Sequence, residues 1–208
     1  MIPAPPAGSH YDALRIASIR KKTVLFRISD PGHASALYFN TDRSGRWNSP
    51  NGKYGVCYVT ESVEGAFAET FGRGTMSHYP PATPKIISEA RLAARHIYSI
   101  EANDTLRVGE LFGKGLTKLN LDNNINTTTN YAQVQLWSAW VYDHPKALHG
   151  IRYQSRHLSD IRCYALFGRA KPLLKPVDLG PVAGWTNPTT NRTIYDILDE
   201  QGWVIVKA

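Results

Sequence analysis

The sequence predicts an α+β fold, organised as a single compact domain with a mixed, mainly antiparallel sheet core and flanking helices. Two observations lead to this prediction. Strand-like segments outnumber helix-like segments, and the two types do not alternate regularly, as they do in doubly wound parallel folds. The chain has 208 residues, a length that suits one domain with a sizeable core. Because each apolar segment is short, the segments need one another to form that core.

The predicted strands are short, rich in β-branched and aromatic residues, and bounded by glycine, proline or polar clusters. They comprise residues 23–29, 55–60, 85–91, 95–101, 150–153, 163–167 and 203–207. The predicted helices comprise residues 62–71, 131–142 and 193–201. In the first of these helices, Val63 and Phe67 follow a Ser62 N-cap at helical spacing. The Asn-rich stretch 120–130 and the Pro-rich stretch 79–84 are interpreted as surface connections.

The basic charge of the chain favours anionic ligands. Its formal net charge is +7, which suits nucleic acid, an acidic protein or a phosphate-bearing small molecule. The densest basic cluster, residues 15–22, is interpreted as a solvated helix end rather than a nucleic-acid patch. Residues 1–22 are therefore assigned to an N-terminal lead and basic segment, disordered at its start, and residues 23–208 to the folded domain.

Several classes of protein are excluded by what the sequence lacks. No apolar run approaches the ~18 residues of a membrane helix, and the N-terminus does not resemble a secretory signal. Cys57 and Cys163 both lie in apolar runs and are interpreted as buried thiols, which favours a reducing compartment and hence the cytoplasm. The seven histidines show no metal-ligand spacing, so no metal site is expected.

Two arginines lie in unusual settings. Arg27 shares the predicted strand 23–29 with apolar residues, so its guanidinium needs a partner. That partner is either an internal carboxylate, which the segment alone favours, or a bound phosphate. Arg46 precedes Trp47 in a loop rich in glycine, proline and asparagine. The tryptophan predicts a packed loop, on which Arg46 either has a structural role or binds phosphate or carboxylate.

Three further residues are candidates for chemistry. Tyr58 lies on a predicted strand, and Glu69 follows it by eleven residues on the next helix. Glu69 is off the apolar stripe of that helix, beside small residues that allow close approach to its carboxylate. Ser155 lies among arginine and histidine, but no Gly-Xaa-Ser-Xaa-Gly motif surrounds it, so the pattern does not indicate a serine hydrolase.

Taken in order, these segments resemble the RES family, which is named for an arginine, a glutamate and a serine. The resemblance covers about residues 24–170 and consists of residues 25–28, 45–48, 58–62, 66–69, 150–156 and 165–167. Members of this family have an ADP-ribosyltransferase-like fold. They include bacterial toxins that deplete NAD⁺ by phosphorolysis or hydrolysis. Many are paired with an Xre-type antitoxin, which carries a DNA-binding helix-turn-helix domain and blocks the active site.

The resemblance implies roles for particular residues. Glu69 becomes the central acid, and Arg27 and Arg46 hold the NAD⁺ diphosphate or an incoming phosphate. Tyr58 is expected to stack on nicotinamide or its ribose, and Ser155 to hydrogen-bond nicotinamide or the bound anion. NAD⁺ is then the substrate, inorganic phosphate an optional co-substrate, and no true cofactor is expected.

Two other functions stay open at this level. One is a protein ADP-ribosyltransferase that modifies a specific cellular target. The other is a non-enzymatic basic module for nucleic acid, although direct nucleic-acid binding is not expected. Phosphorolysis and hydrolysis are not separated by the sequence, because both proceed through the same ribosyl cation and differ only in the acceptor. A homo-oligomer is left open as well.

Overall fold

A computed structural model of the chain describes residues 2–7, 10–33, 35–72 and 82–207. The strands are β1 (Ile16–Ile19), β2 (Val24–Ser29), β3 (Val56–Thr60), β4 (Lys85–Ser88), β5 (His96–Ala102), β6 (Leu106–Leu111), β7 (Gly150–Gln154), β8 (Arg162–Phe167), β9 (Leu174–Pro181) and β10 (Trp203–Val206). The α-helices are α1 (Val63–Phe71), α2 (Glu89–Ala93), α3 (Lys114–Lys118), α4 (Asn124–Thr127), α5 (Tyr131–Tyr142) and α6 (Ile194–Glu200). Short 3-10 helices occur at Tyr11–Ala13, Gly168–Leu173 and Val182–Gly184.

Eight of the strands form one sheet, in the order β1–β6–β7–β8–β3–β2–β5–β9. Its neighbours are antiparallel apart from β6 and β7, which are parallel. Strands β4 and β10 pair in parallel as a separate two-stranded sheet. The predicted α+β fold, with a mixed and mainly antiparallel sheet and flanking helices, is confirmed.

The sheet opens between β2 and β3. These two strands are joined at one residue pair, Phe26 with Thr60. By contrast, β2 pairs with β5 along its whole length from Val24 to Ser29. The sheet also curls, because Leu25 of β2 shares a buried cluster with residues of β3 and β8 from the other half of the sheet. The gap in the pairing leaves a cleft between the two halves.

Helix α1 is built as the sequence predicts and lies beside this gap. The Ser62 side chain accepts a hydrogen bond from the Gly65 backbone N–H at 3.1 Å, which caps the first turn. Phe67 and Phe71 are fully buried in a cluster that also contains residues of α6 and β5. Burial of this face fixes the rotation of α1 about its axis, and the opposite face turns Glu69 toward the cleft.

The N-terminal segment differs from the prediction. Residues 16–19 are an edge strand paired with β6, so the interpretation of residues 15–22 as a helix end is wrong. Ile2 is buried, and the Trp137 indole N–H donates to the Pro3 carbonyl at 2.8 Å, so the expected disorder at the start of the chain is not seen there. Apolar contacts with residues distant in sequence order this segment, and local patterns do not report such contacts.

Other elements were missed or misassigned. The predicted strand 85–91 ends at Ser88, whose side chain caps α2 by accepting from the Arg91 N–H. Strand β6 was missed, and so was β9, whose prolines suit an edge strand. The Asn-rich stretch contains the short helix α4. Of the Pro-rich stretch 79–84, residues 79–81 lie outside the described part. None of the described helices is long and apolar enough to cross a membrane.

Candidate active site

The loop that carries Arg46 is held in shape by Tyr58 of β3. The Tyr58 hydroxyl accepts a hydrogen bond from the Trp47 backbone N–H at 2.9 Å and donates to Asn48 Oδ1 at 2.8 Å. A Cβ atom on Gly45 would lie 2.5 Å from the Tyr58 hydroxyl, so only glycine allows this approach. Gln135 of α5 donates to the Gly45 carbonyl at 2.9 Å. The loop is therefore tied to both a strand and a helix.

Trp47 anchors the loop in the core. Its side chain is fully buried, and its ring lies 5.5 Å from the ring of Tyr153 on β7. Its backbone carbonyl accepts from the Ser138 hydroxyl at 2.6 Å. The prediction of a packed, shaped loop is confirmed, and Arg46 projects from a rigid support.

Arg46 is a buried cation without a counter-charge among the residues described. Its exposed fraction is 8%, and its Nη1 donates to the carbonyls of Ile125 at 3.3 Å and Thr128 at 2.7 Å. The guanidinium carbon lies 4.9 Å from the centre of the Tyr131 ring. Burial lowers the pKa of Arg46, but arginine stays protonated in proteins. The cost of burying this charge decreases when an anion binds beside it.

Arg27 is held differently. Its Nη1 donates to the carbonyls of Ala36 at 3.3 Å and Tyr38 at 2.9 Å, and to Cys57 Sγ at 2.8 Å. Burial raises the pKa of the Cys57 thiol, which therefore stays a neutral acceptor. Arg27 forms no ion pair with any described carboxylate, so the internal ion pair that its segment favours is not observed.

Ser155 and Glu69 are in direct contact. The Ser155 hydroxyl donates to Glu69 Oε1 at 2.6 Å and accepts from the backbone N–H groups of His157 and Leu158 at 3.1 and 3.0 Å. These bonds use the one donor and both acceptor positions of a hydroxyl. With 3% of its surface exposed, Ser155 lies behind Glu69. The geometry does not support the expected contact between Ser155 and substrate.

A cavity of about 510 Å³ occupies the gap between β2 and β3. Arg27, Arg46, Tyr58 and Glu69 all line it, and Ser155 touches it only through Glu69. The five residues chosen from the sequence therefore converge on one place. Three arginines and a single carboxylate line this cavity, so its charge favours an anionic ligand that carries one cationic group.

Sequence reasoning missed several lining residues, which are Thr129, Tyr131, Tyr153, Arg156 and His157. Arg156 and His157 directly follow Ser155, so the segment that suggested Ser155 contained a signal for them. Thr129 and Tyr131 follow the Asn-rich stretch, which has no local signal for a site. No cluster of three or more metal-ligating side chains occurs in the described ranges.

Comparison with known families identifies the domain. The RES domain model matches residues 24–185, a span that includes both walls of the cavity and the Glu69 helix. The chain belongs to the RES domain family. No curated protein sequence matches it. The RES fold is also found in a chain of the crystal structure of the M. tuberculosis MbcT–MbcA toxin–antitoxin complex, with 19% identity and a TM-score of 0.55 over 79% of this chain and 87% of that one.

Proposed function

We propose that this RES domain is a toxin that cleaves the nicotinamide–ribose bond of NAD⁺, by phosphorolysis or hydrolysis. The observation that carries the proposal is the cavity itself, in which one fixed carboxylate faces three arginines without carboxylate partners among the described residues. NAD⁺ matches this charge pattern, because it combines an anionic diphosphate with a cationic nicotinamide ring next to the ribose.

Glu69 stabilises the charge that develops during cleavage. When the C1″–N1 bond breaks, its electron pair goes to the nicotinamide nitrogen and the ribose gains oxocarbenium character, as in glycoside cleavage. A fixed carboxylate in a partly dry cavity stabilises this cation more than it stabilises the ground state. Nicotinamide leaves as a neutral molecule, so the reaction needs no strong general acid. Ser155 fixes the carboxylate, and the Tyr58 ring provides a flat surface in the cavity for nicotinamide or ribose.

An antitoxin partner is part of the proposal. It is supported by the family and by the shared fold with a chain of a toxin–antitoxin complex. We propose a cognate inhibitor of the Xre type that blocks the cavity.

The reaction is tested by incubating the purified protein with NAD⁺, with and without inorganic phosphate, and identifying the products by mass spectrometry. Free nicotinamide with ADP-ribose 1″-phosphate indicates phosphorolysis, and free nicotinamide with ADP-ribose indicates hydrolysis. A mass gain on a protein in added cell extract would instead indicate a protein ADP-ribosyltransferase. Intact NAD⁺ under all of these conditions would refute the proposal and favour a binding module.

Expression without an inhibitor is expected to arrest bacterial growth while cellular NAD⁺ falls. The Glu69→Gln variant, expressed at the same level, is the matched control and should permit growth. Cell density and extracted NAD⁺ measured over the same time course check this prediction. Steady NAD⁺ and normal growth alongside abundant folded wild-type protein would contradict the toxin assignment.

Ser155→Ala is expected to lower kcat for NAD⁺ cleavage by about tenfold or more, because a hydrogen bond to a charged group contributes about 1.5–3 kcal/mol. Since Ser155 holds Glu69 and does not line the cavity, KM for NAD⁺ should change little. Ser155→Thr keeps a hydroxyl and should retain more of the activity. Steady-state kinetics of the three proteins decide the role. A raised KM with unchanged kcat would place Ser155 in contact with substrate.

A further inference from the structure

The cavity contains two arginine sites of different construction. Arg27 lies on the β2 wall and is tied to the carbonyls of Ala36 and Tyr38 and to the Cys57 thiol. Arg46 lies on the opposite side, buried under the ring of Tyr131, and its bonded nitrogen contacts only backbone carbonyls. The two guanidinium groups are therefore held by separate elements, and each can bind its own anion.

The proposed reaction needs two anion sites when phosphate is the acceptor. The attacking oxygen must contact C1″ of the nicotinamide ribose, which is the atom that Glu69 serves. The NAD⁺ diphosphate is separated from C1″ by the ribose ring and the 5″-methylene group. The acceptor site must therefore lie close to Glu69, and the diphosphate site must lie farther away.

Arg46 is the arginine whose charge interacts with Glu69. Its electrostatic environment includes both Glu69 and Arg156, and all three side chains line the same cavity. The ionisable neighbours of Arg27 are instead Cys57 and Tyr98, on the β3 and β5 strands. Thr129, whose side chain carries a hydroxyl, also lines the cavity near the loop that Arg46 holds.

We infer that Arg46, together with Arg156 and Thr129, forms a binding site for inorganic phosphate as the acceptor, while Arg27 holds the NAD⁺ diphosphate. This assignment rests on the proposed function and makes phosphorolysis the reaction. A phosphate oxygen forms the bond to C1″ as the C1″–N1 bond breaks, and the electron pair leaves on neutral nicotinamide. The products are ADP-ribose 1″-phosphate and nicotinamide, so atoms and charge balance.

The site is tested first without NAD⁺. Inorganic phosphate is titrated into the wild-type protein by calorimetry at constant ionic strength, beside Arg46→Lys, Arg156→Ala and Arg20→Ala. Arg20 is exposed outside the cavity, so Arg20→Ala matches the charge change of Arg156→Ala. Charge-assisted hydrogen bonds of this kind predict a rise in Kd of about 10- to 100-fold for the two cavity variants and no change for Arg20→Ala.

A second measurement separates this inference from the function. On the wild-type protein with saturating phosphate, ADP-ribose 1″-phosphate should be the main product, and Arg156→Ala should shift the products toward ADP-ribose. NAD⁺ cleavage that yields only ADP-ribose would overturn the phosphate site and leave NAD⁺ cleavage standing. Phosphate binding that depends on Arg46 without any NAD⁺ cleavage would support the anion site and refute the function.

The variants also guard against a failure to fold. Arg46 is buried, so Arg46→Lys is accompanied by a melting curve, whereas Arg156 is exposed and its removal should preserve the fold. If Arg46→Lys does not fold, Arg156→Ala decides. An unchanged phosphate Kd in every folded cavity variant would overturn the inference.

Discussion

Replacement of Glu69 by glutamine is expected to lower the single-turnover rate of NAD⁺ cleavage by about 10²–10³, equivalent to ~3–4 kcal/mol of transition-state stabilisation. Glutamine keeps the shape of the side chain and an oxygen that accepts the Ser155 hydrogen bond, but it removes the negative charge. The affinity for NAD⁺ should change far less, because the ribosyl cation exists only near the transition state. Rapid-quench measurement of nicotinamide release, beside a direct NAD⁺ titration, checks both expectations.

Stability should survive this change. Glu69 is half-buried and lies outside the Phe67–Phe71 face that packs into the core, so the unfolding free energy should shift by no more than about 1 kcal/mol. Arg27→Ala provides the contrast, since it should weaken NAD⁺ binding and also lower the melting temperature by leaving the Tyr38 carbonyl without its donor. A Glu69→Gln protein that cleaves NAD⁺ at nearly the wild-type rate would show that the essential carboxylate lies elsewhere.

Trp47→Ala is expected to produce the largest loss of stability, about 3–5 kcal/mol. The indole is fully buried and packs against Tyr153, and the space it fills cannot close without moving a strand or a helix. For a chain of this size, such a loss should lower the melting temperature by roughly 10 °C. The Arg46 loop should also loosen, so binding of phosphate and NAD⁺ should weaken at temperatures where the variant is folded.

Trp185→Ala is the matched control for this prediction. Trp185 is also buried, but it belongs to the cluster that contains α6 and part of α1, away from the Arg46 loop. It should lower stability without the same effect on ligand binding. Thermal unfolding and phosphate titration of both variants separate the two effects. Wild-type phosphate affinity in folded Trp47→Ala would show that the loop does not depend on its tryptophan.

The sequence predicted those features whose causes are local. The Ser62 cap and the spacing of Val63 and Phe67 specify α1, and that spacing places Glu69 off the buried face. A tryptophan among glycine, proline and asparagine predicted a packed loop that supports Arg46, and the loop is packed as expected. The order of these segments along the chain was sufficient to indicate the family that the comparison then established.

The tertiary structure alone decided how the site is assembled. Ser155 reaches Glu69 across 86 positions of sequence, and Arg46 reaches the Ile125 carbonyl across 79. Strands β1, β6 and β9 owe their order to pairing with distant partners. The gap between β2 and β3 has no sequence signature, because it reflects pairing that does not form. Local patterns record the preferences of neighbouring residues, whereas the cavity depends on contacts that exist only once the whole chain has folded.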